Sequence, residues 1–196
     1  MADFFFLLEM GFFHVLSIEG IDHMLYVMLL TFSLPFTEWK KLIWIMTGFT
    51  AGHTISLFYG VLNVLPISIP FLEFLVALSI LVTSVIAYRL NQLPNNRKFI
   101  PQLVLAGFFG LIHGAAFGNS LIELLSDGSF PIIEVLGFNF GIELAQVLIF
   151  LLTIGILFFV KKRFQSFHEL FVKSTILLIG IYAVYLSIDR LILAFS

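Results

Sequence analysis

The chain has 196 residues, 60% of them hydrophobic and only 11% charged, with a mean hydropathy of +1.10 and a formal net charge of −2. Such apolarity excludes an ordinary soluble domain, and with no basic patch beyond short loops no nucleic-acid partner is expected. Cysteine is absent, which rules out disulfides and thiolate ligands, so a metal here would be held only by nitrogen and oxygen.

Runs of roughly 18 or more apolar residues read as bilayer spans. These runs are continuous and rich in Leu, Ile and Phe rather than alternating, which argues against a β-barrel. The expected fold is all-α: a polytopic transmembrane helical bundle of about seven membrane segments, the first one short, embedded in the lipid bilayer. One transmembrane domain is expected over residues 1–196.

The opening MADFFFLLEM carries an acid and no base before its apolar run, unlike a secretory signal peptide, and is expected to belong to the mature fold. The first segment, residues 4–17, is short for a span at roughly 1.5 Å per residue. Glu19, Gly20 and Ile21 are expected to turn the chain into a second helix over residues 22–36, with Asp22 as its N-cap and His23 in its first turn. After TEWKK a third span, residues 42–62, has Trp39 and Trp44 as interfacial anchors and His53 at its centre. NVLPISIP, with two prolines, separates it from a fourth span over residues 71–90 that carries Glu73, Ser79, Thr83 and Ser84. NQLPNNRK follows. The fifth span, residues 101–125, contains GFFGLIHGAAFG, where Gly107, Gly110, Gly114 and Gly118 recur three or four apart and line one face for close helix packing. SDGSFP ends it. KKRFQSFHELFVK separates a sixth span, residues 133–159, from a seventh, residues 174–193.

Lys40, Lys41, Arg89, Arg97, Lys98, Lys161, Lys162, Arg163 and Lys173 fall in or beside the second–third, fourth–fifth and sixth–seventh loops, and Arg190 stands apart beside Asp189. By the positive-inside rule those loops are cytoplasmic, so a chain of seven separate spans has its N-terminus inside and its C-terminus outside.

Ionisable groups inside apolar segments are costly, at least about 2.5–3.5 kcal/mol each on the mildest scale, so each asks for a role. His14, Asp22 and His23 flank the first outer turn, His53 and His113 lie near mid-membrane, and Glu73, Asn139 and Glu143 sit in outer turns of their helices. All share the outer half of the bilayer. Asn139, Glu143 and Gln146 fall at i, i+4 and i+7, one stripe of one helix. A lone intramembrane histidine ordinarily makes an interhelical hydrogen bond, and hydroxyls such as Thr50, Thr54 and Ser56 around His53 ordinarily bond their own backbone. Glu73 reads equally well as an interfacial residue, and His168 as a solvated one. Four histidines at one level tip the balance towards a site for a divalent transition metal such as nickel, zinc, cobalt, iron or copper. Asp22 would act there as a ligand, or as the group that fixes the His23 tautomer while its other nitrogen binds metal.

At these residues the chain resembles the HupE/UreJ family of hydrogenase- and urease-associated membrane proteins. The matching stretches are HVLSIEGIDHMLYVMLL, TGFTAGHTISL, LEFLVALSI, FGLIHGAAFG and FNFGIELAQ, in the family's order over most of residues 11–150. The resemblance implies a multi-pass protein of the bacterial inner membrane linked to nickel or cobalt supply, best described as a metal permease. It carries the family's motif residues onto His14, Asp22, His23, His53, His113 and Glu143, and onto Glu73 by a weaker match. HGAAFG and ELAQ each depart from the family's usual wording by a small-for-small change that leaves the ligand set intact.

The leading reading is therefore uptake of nickel or a related ion. His14, His23 and His113 with Asp22 would strip water from the ion and His53 and Glu143 would hold it or pass it inward, with Glu73, Asn139, Gln146, Thr50 and Thr54 in support. A reading from another class is an intramembrane zinc hydrolase, with a zinc-bound water as nucleophile and Asp22 or Glu143 as base. A third is a metal-sensing or accessory subunit serving a metalloenzyme-maturation partner; assembly as a homo-oligomer is compatible with each. The inner halves of the spans offer few polar groups beyond Thr31, Ser33, Thr83, Ser84 and Thr153.

Overall fold

The computed structural model describes residues 2–18, 20–61, 67–90, 99–124 and 132–195. Within them run α1 (Ala2–Leu16), α2 (Ile21–Ser33), α3 (Trp39–Val61), α4 (Ile69–Leu90), α5 (Phe99–Leu124), α6 (Ile132–Arg163) and α7 (His168–Phe195), with one 3-10 turn at Phe36–Glu38 and no strand among the described residues. Glu19, the first half of NVLPISIP, all of NQLPNNRK and the SDGSFP stretch lie outside them. Four helices, α4 to α7, are long and apolar enough to cross a bilayer, and α1 with α2 makes a fifth when taken as one span bent by 71°. With its 23 residues α3 has the length, but Thr47, Thr50, His53, Thr54 and Ser56 make it more polar than those four. The protein is a multi-pass membrane protein.

Three boundaries differ from expectation for local reasons. α2 stops at Ser33 because Pro35 follows, and Leu34 before it is extended, with φ −125° and ψ 145°. α6 continues through Lys161, Lys162 and Arg163 and α7 begins at His168, so most of the expected loop between them is helix. Lys and Arg are good helix formers, and basic groups suit a helix C-terminus.

The helices associate chiefly in three pairs, α3 with α5, α1 with α6 and α4 with α7, while α2 lies between them. Leu30 and Tyr26 of α2 join one buried cluster, with Phe49, Phe138 and Ile142; Leu29 and Phe32 join another, with Ile80, Ile176 and Ala183. Lipid tails are as apolar as leucine, so close backbone approach has to supply the attraction between helices. Glycine provides it: a Cβ at Gly52 would strike the Gly107 carbonyl, and one at Gly110 the Phe49 carbonyl. The glycine face of α5 is thus a helix-packing surface. Gly48 meets Leu103, Gly52 meets Gly107 and Gly114 meets Ser56, so α3 and α5 run in the same direction.

α1 and α6 also run in the same direction, since Gly137 sits against Phe4 and Gly141 against Leu8. Further along, Thr31, Phe32 and Leu34 of α2 line one cavity with Phe150, Ile154 and Phe158 of α6. The α1–α2 pair therefore follows α6 and bends by 71° between Leu16 and Ile21, in the manner of the discontinuous helices that build sites at mid-membrane.

Candidate metal centre

The bend is where the site begins. The Ser17 hydroxyl donates to the His14 carbonyl at 2.9 Å, and the Gly20 N–H reaches Ser17. Gly20 occupies the N-cap position of α2, and a Cβ there would collide with the His14 carbonyl. Only glycine lets the chain fold back this tightly. Asp22, expected as N-cap, is displaced into the first turn, where its Oδ1 accepts from both the backbone N–H and the Nδ1–H of His23, each at 2.8 Å.

His23 is the hub. The ring centroids of His14 (α1), His53 (α3) and His113 (α5) lie 5.2, 5.7 and 5.1 Å from its own. His23, His53 and His113 are buried and His14 is half-buried. Each ring keeps one buried nitrogen with no hydrogen-bond partner among the described residues: Nε2 of His14, His23 and His53, and Nδ1 of His113.

Hydrogen-bond partners on the far side of three rings decide what those nitrogens carry. Asn139 donates its amide N–H to the Val135 carbonyl at 2.8 Å, which fixes its Oδ1 as the atom 3.0 Å from His53 Nδ1. An amide oxygen only accepts, so His53 holds its proton on Nδ1 and a lone pair on Nε2. Ser79 spends its hydroxyl hydrogen on the Val76 carbonyl at 2.7 Å, so at 3.0 Å it accepts from His113 Nε2–H and leaves a lone pair on Nδ1. The Asp22 carboxylate does the same for His23, whose lone pair falls on Nε2. Three partners from α6, α4 and α2 thus make lone-pair donors of the unpartnered nitrogens. Such outer partners are how proteins orient metal-binding imidazoles.

Asp22, His23 and His113 can each present one ligand atom within 4.8 Å of the others. His14 and His53 flank this group by ring contact. Aromatic rings wall it: Phe49 lies 5.0 Å from His113, and Phe117 lies 4.3 Å from His14 and stacks on Phe138 at 5.0 Å.

The other sequence-derived candidates surround the cluster. Glu143, half-buried, accepts from the Thr47 hydroxyl at 2.6 Å, and Gln146 shares the Thr50 hydroxyl with the Met46 carbonyl, each at 3.3 Å. With His53–Asn139 these pairs form a polar seam between α3 and α6. Thr54 and Ser56 bond back to their own helix, at Thr50 O and His53 O. Glu73 is half-buried on α4, and its carbonyl accepts from Arg190 Nη1 at 3.1 Å. Sequence reasoning did not assign Ser79, Thr47 or the aromatic walls to the site. Ser79 does stand within LEFLVALSI, but as one hydroxyl among several.

Helices that cross a membrane and turn a histidine–carboxylate cluster inward define an integral membrane protein built around a candidate metal centre. The model described as HupE / UreJ protein matches residues 1–190, nearly the whole chain. The chain belongs to the HupE/UreJ family. No curated protein and no solved structure matches it. Family membership implies a membrane protein of the nickel or cobalt accessory or permease type.

Proposed function

We propose that this protein takes up a divalent transition metal, nickel or cobalt, from the outer side of the bacterial inner membrane and passes it inward. The observation that carries this reading is the set of four unpartnered buried imidazole nitrogens gathered around His23, three of them prepared as lone-pair donors. Imidazole nitrogen with a carboxylate suits such ions. Asp22, His23 and His113 receive the ion as it loses water, and His14 and His53 complete or relay its coordination.

The onward path follows the α3–α6 seam. α3 starts at the basic face with Lys40 and Lys41, so Thr47 with Glu143 and Thr50 with Gln146 lie between His53 and that face. They supply polar steps on the inner side of His53, which in this reading sets Glu143 deeper than the outer half expected from its place in the sequence. Taking α1 and α2 as one broken crossing gives five spans with α4 to α7, and counting the more polar α3 as a further crossing makes six. The same basic loops then put both termini outside, in place of the inside N-terminus expected for seven separate spans.

The test is nickel influx into liposomes that hold a metal-sensitive dye, comparing wild type with a His23→Ala, His113→Ala double variant. Wild type should fill the vesicles and the variant should not. Equal influx by two forms that both bind metal would end the transport reading.

A further inference from the structure

Away from the histidines, a cavity of about 780 Å³ opens between α2, α6 and α7, near the start of α3. Its wall is apolar, with Leu34, Leu42, Phe150, Ile154 and Phe158, and its basic end is marked by Lys161 and His168. α6 and α7 barely touch, and Leu151 and Phe158 are well exposed, so the groove opens towards lipid. From Phe150 to Lys161 it runs roughly 16 Å along α6, about half of a ~30 Å hydrocarbon core. It is one leaflet deep.

The charge at its end is uncompensated. Lys161 has no ion-pair partner among the described residues, and the acids beside the groove are engaged elsewhere, Glu38 by Lys41 and Glu169 by Lys173. Lys162 and Arg163 follow directly. A slot of acyl-chain length with a free ammonium group at the headgroup level calls for an anionic phospholipid.

We infer that one anionic phospholipid of the leaflet on the basic face occupies this groove, its phosphate at Lys161 and a chain along Phe158, Ile154 and Phe150. The lipid fills the gap between α6 and α7 beside the end of α2. The inference is independent of the metal reading.

Trp39 lines the groove and becomes the lone tryptophan in a Trp44→Phe background. That protein is placed in phosphatidylcholine vesicles carrying a small fraction of brominated phosphatidylglycerol or, in parallel, brominated phosphatidylcholine. The phosphatidylglycerol should quench Trp39 at about one-fifth the fraction needed of the neutral lipid, the preference one surface lysine supports. Lys161→Gln should equalise the two lipids. Gly155→Leu, whose side chain would enter open space in the groove, should abolish the preference without lowering Tm. Equal quenching by the two lipids in the unsubstituted groove overturns the inference. So does a preference that survives both variants, which would place the lipid elsewhere, or quenching by neither lipid, which would mean that a second copy of the chain covers the groove.

Discussion

His53 Nδ1 and Asn139 Oδ1 lie 3.0 Å apart across the α3–α6 interface, and the amide, itself anchored on Val135, decides which imidazole nitrogen is left with a lone pair. Asn139→Leu should cost about 1–3 kcal/mol of stability, because a buried ring N–H loses its acceptor. It should also weaken nickel binding ~10–100-fold. Asn139→Asp retains an acceptor and should keep most of the affinity. Equilibrium dialysis with nickel and thermal melts in detergent check both.

Ser79 does the same for His113 from α4. Ser79→Ala should lower nickel affinity about tenfold while costing only about 1 kcal/mol of stability. Ser79→Thr should restore the affinity. If alanine and threonine behave alike in dialysis, the tautomer assignment for His113 fails.

The bend between α1 and α2 depends on Gly20. Gly20→Ala should drive a methyl into the His14 carbonyl, cost about 1–3 kcal/mol from overpacking, and pull His14 away from His23. Metal affinity should fall together with Tm. In Gly155→Ala, where a Cβ meets open space, neither should fall.

Much of this was legible in the sequence because a bilayer makes polar residues conspicuous. Four histidines in greasy segments stand out, and direction along each helix assigns them a depth. The missing parts are non-local. Ser79 bonds back to Val76 like any helical serine, so no spacing marks it as the partner of His113. Nor could the α1–α2 bend be read locally, since α1 and α2 are short helices of 15 and 13 residues and only α6 beside them reveals their shared course. Residue preference puts Asp22 at the N-cap, and it cannot register that Gly20 alone fits beneath the His14 carbonyl.

On the proposed path, Glu143 should separate binding from passage. Its contact with Thr47 lies off the Asp22–His23–His113 group. Glu143→Gln should leave equilibrium nickel binding within about twofold, while slowing liposome influx about tenfold or more, as expected when an intramembrane carboxylate on an ion path is neutralised. A loss of binding equal to the loss of influx would instead make Glu143 a direct ligand.

X-ray absorption at the nickel edge of the loaded, purified protein reads the proposed coordination directly. The spectrum should carry the multiple-scattering signature of several imidazole rings, and it should lose part of that signature in His23→Ala and more in His23→Ala with His113→Ala. An oxygen-only shell, or a spectrum that neither substitution changes, would mean that these histidines do not hold the ion.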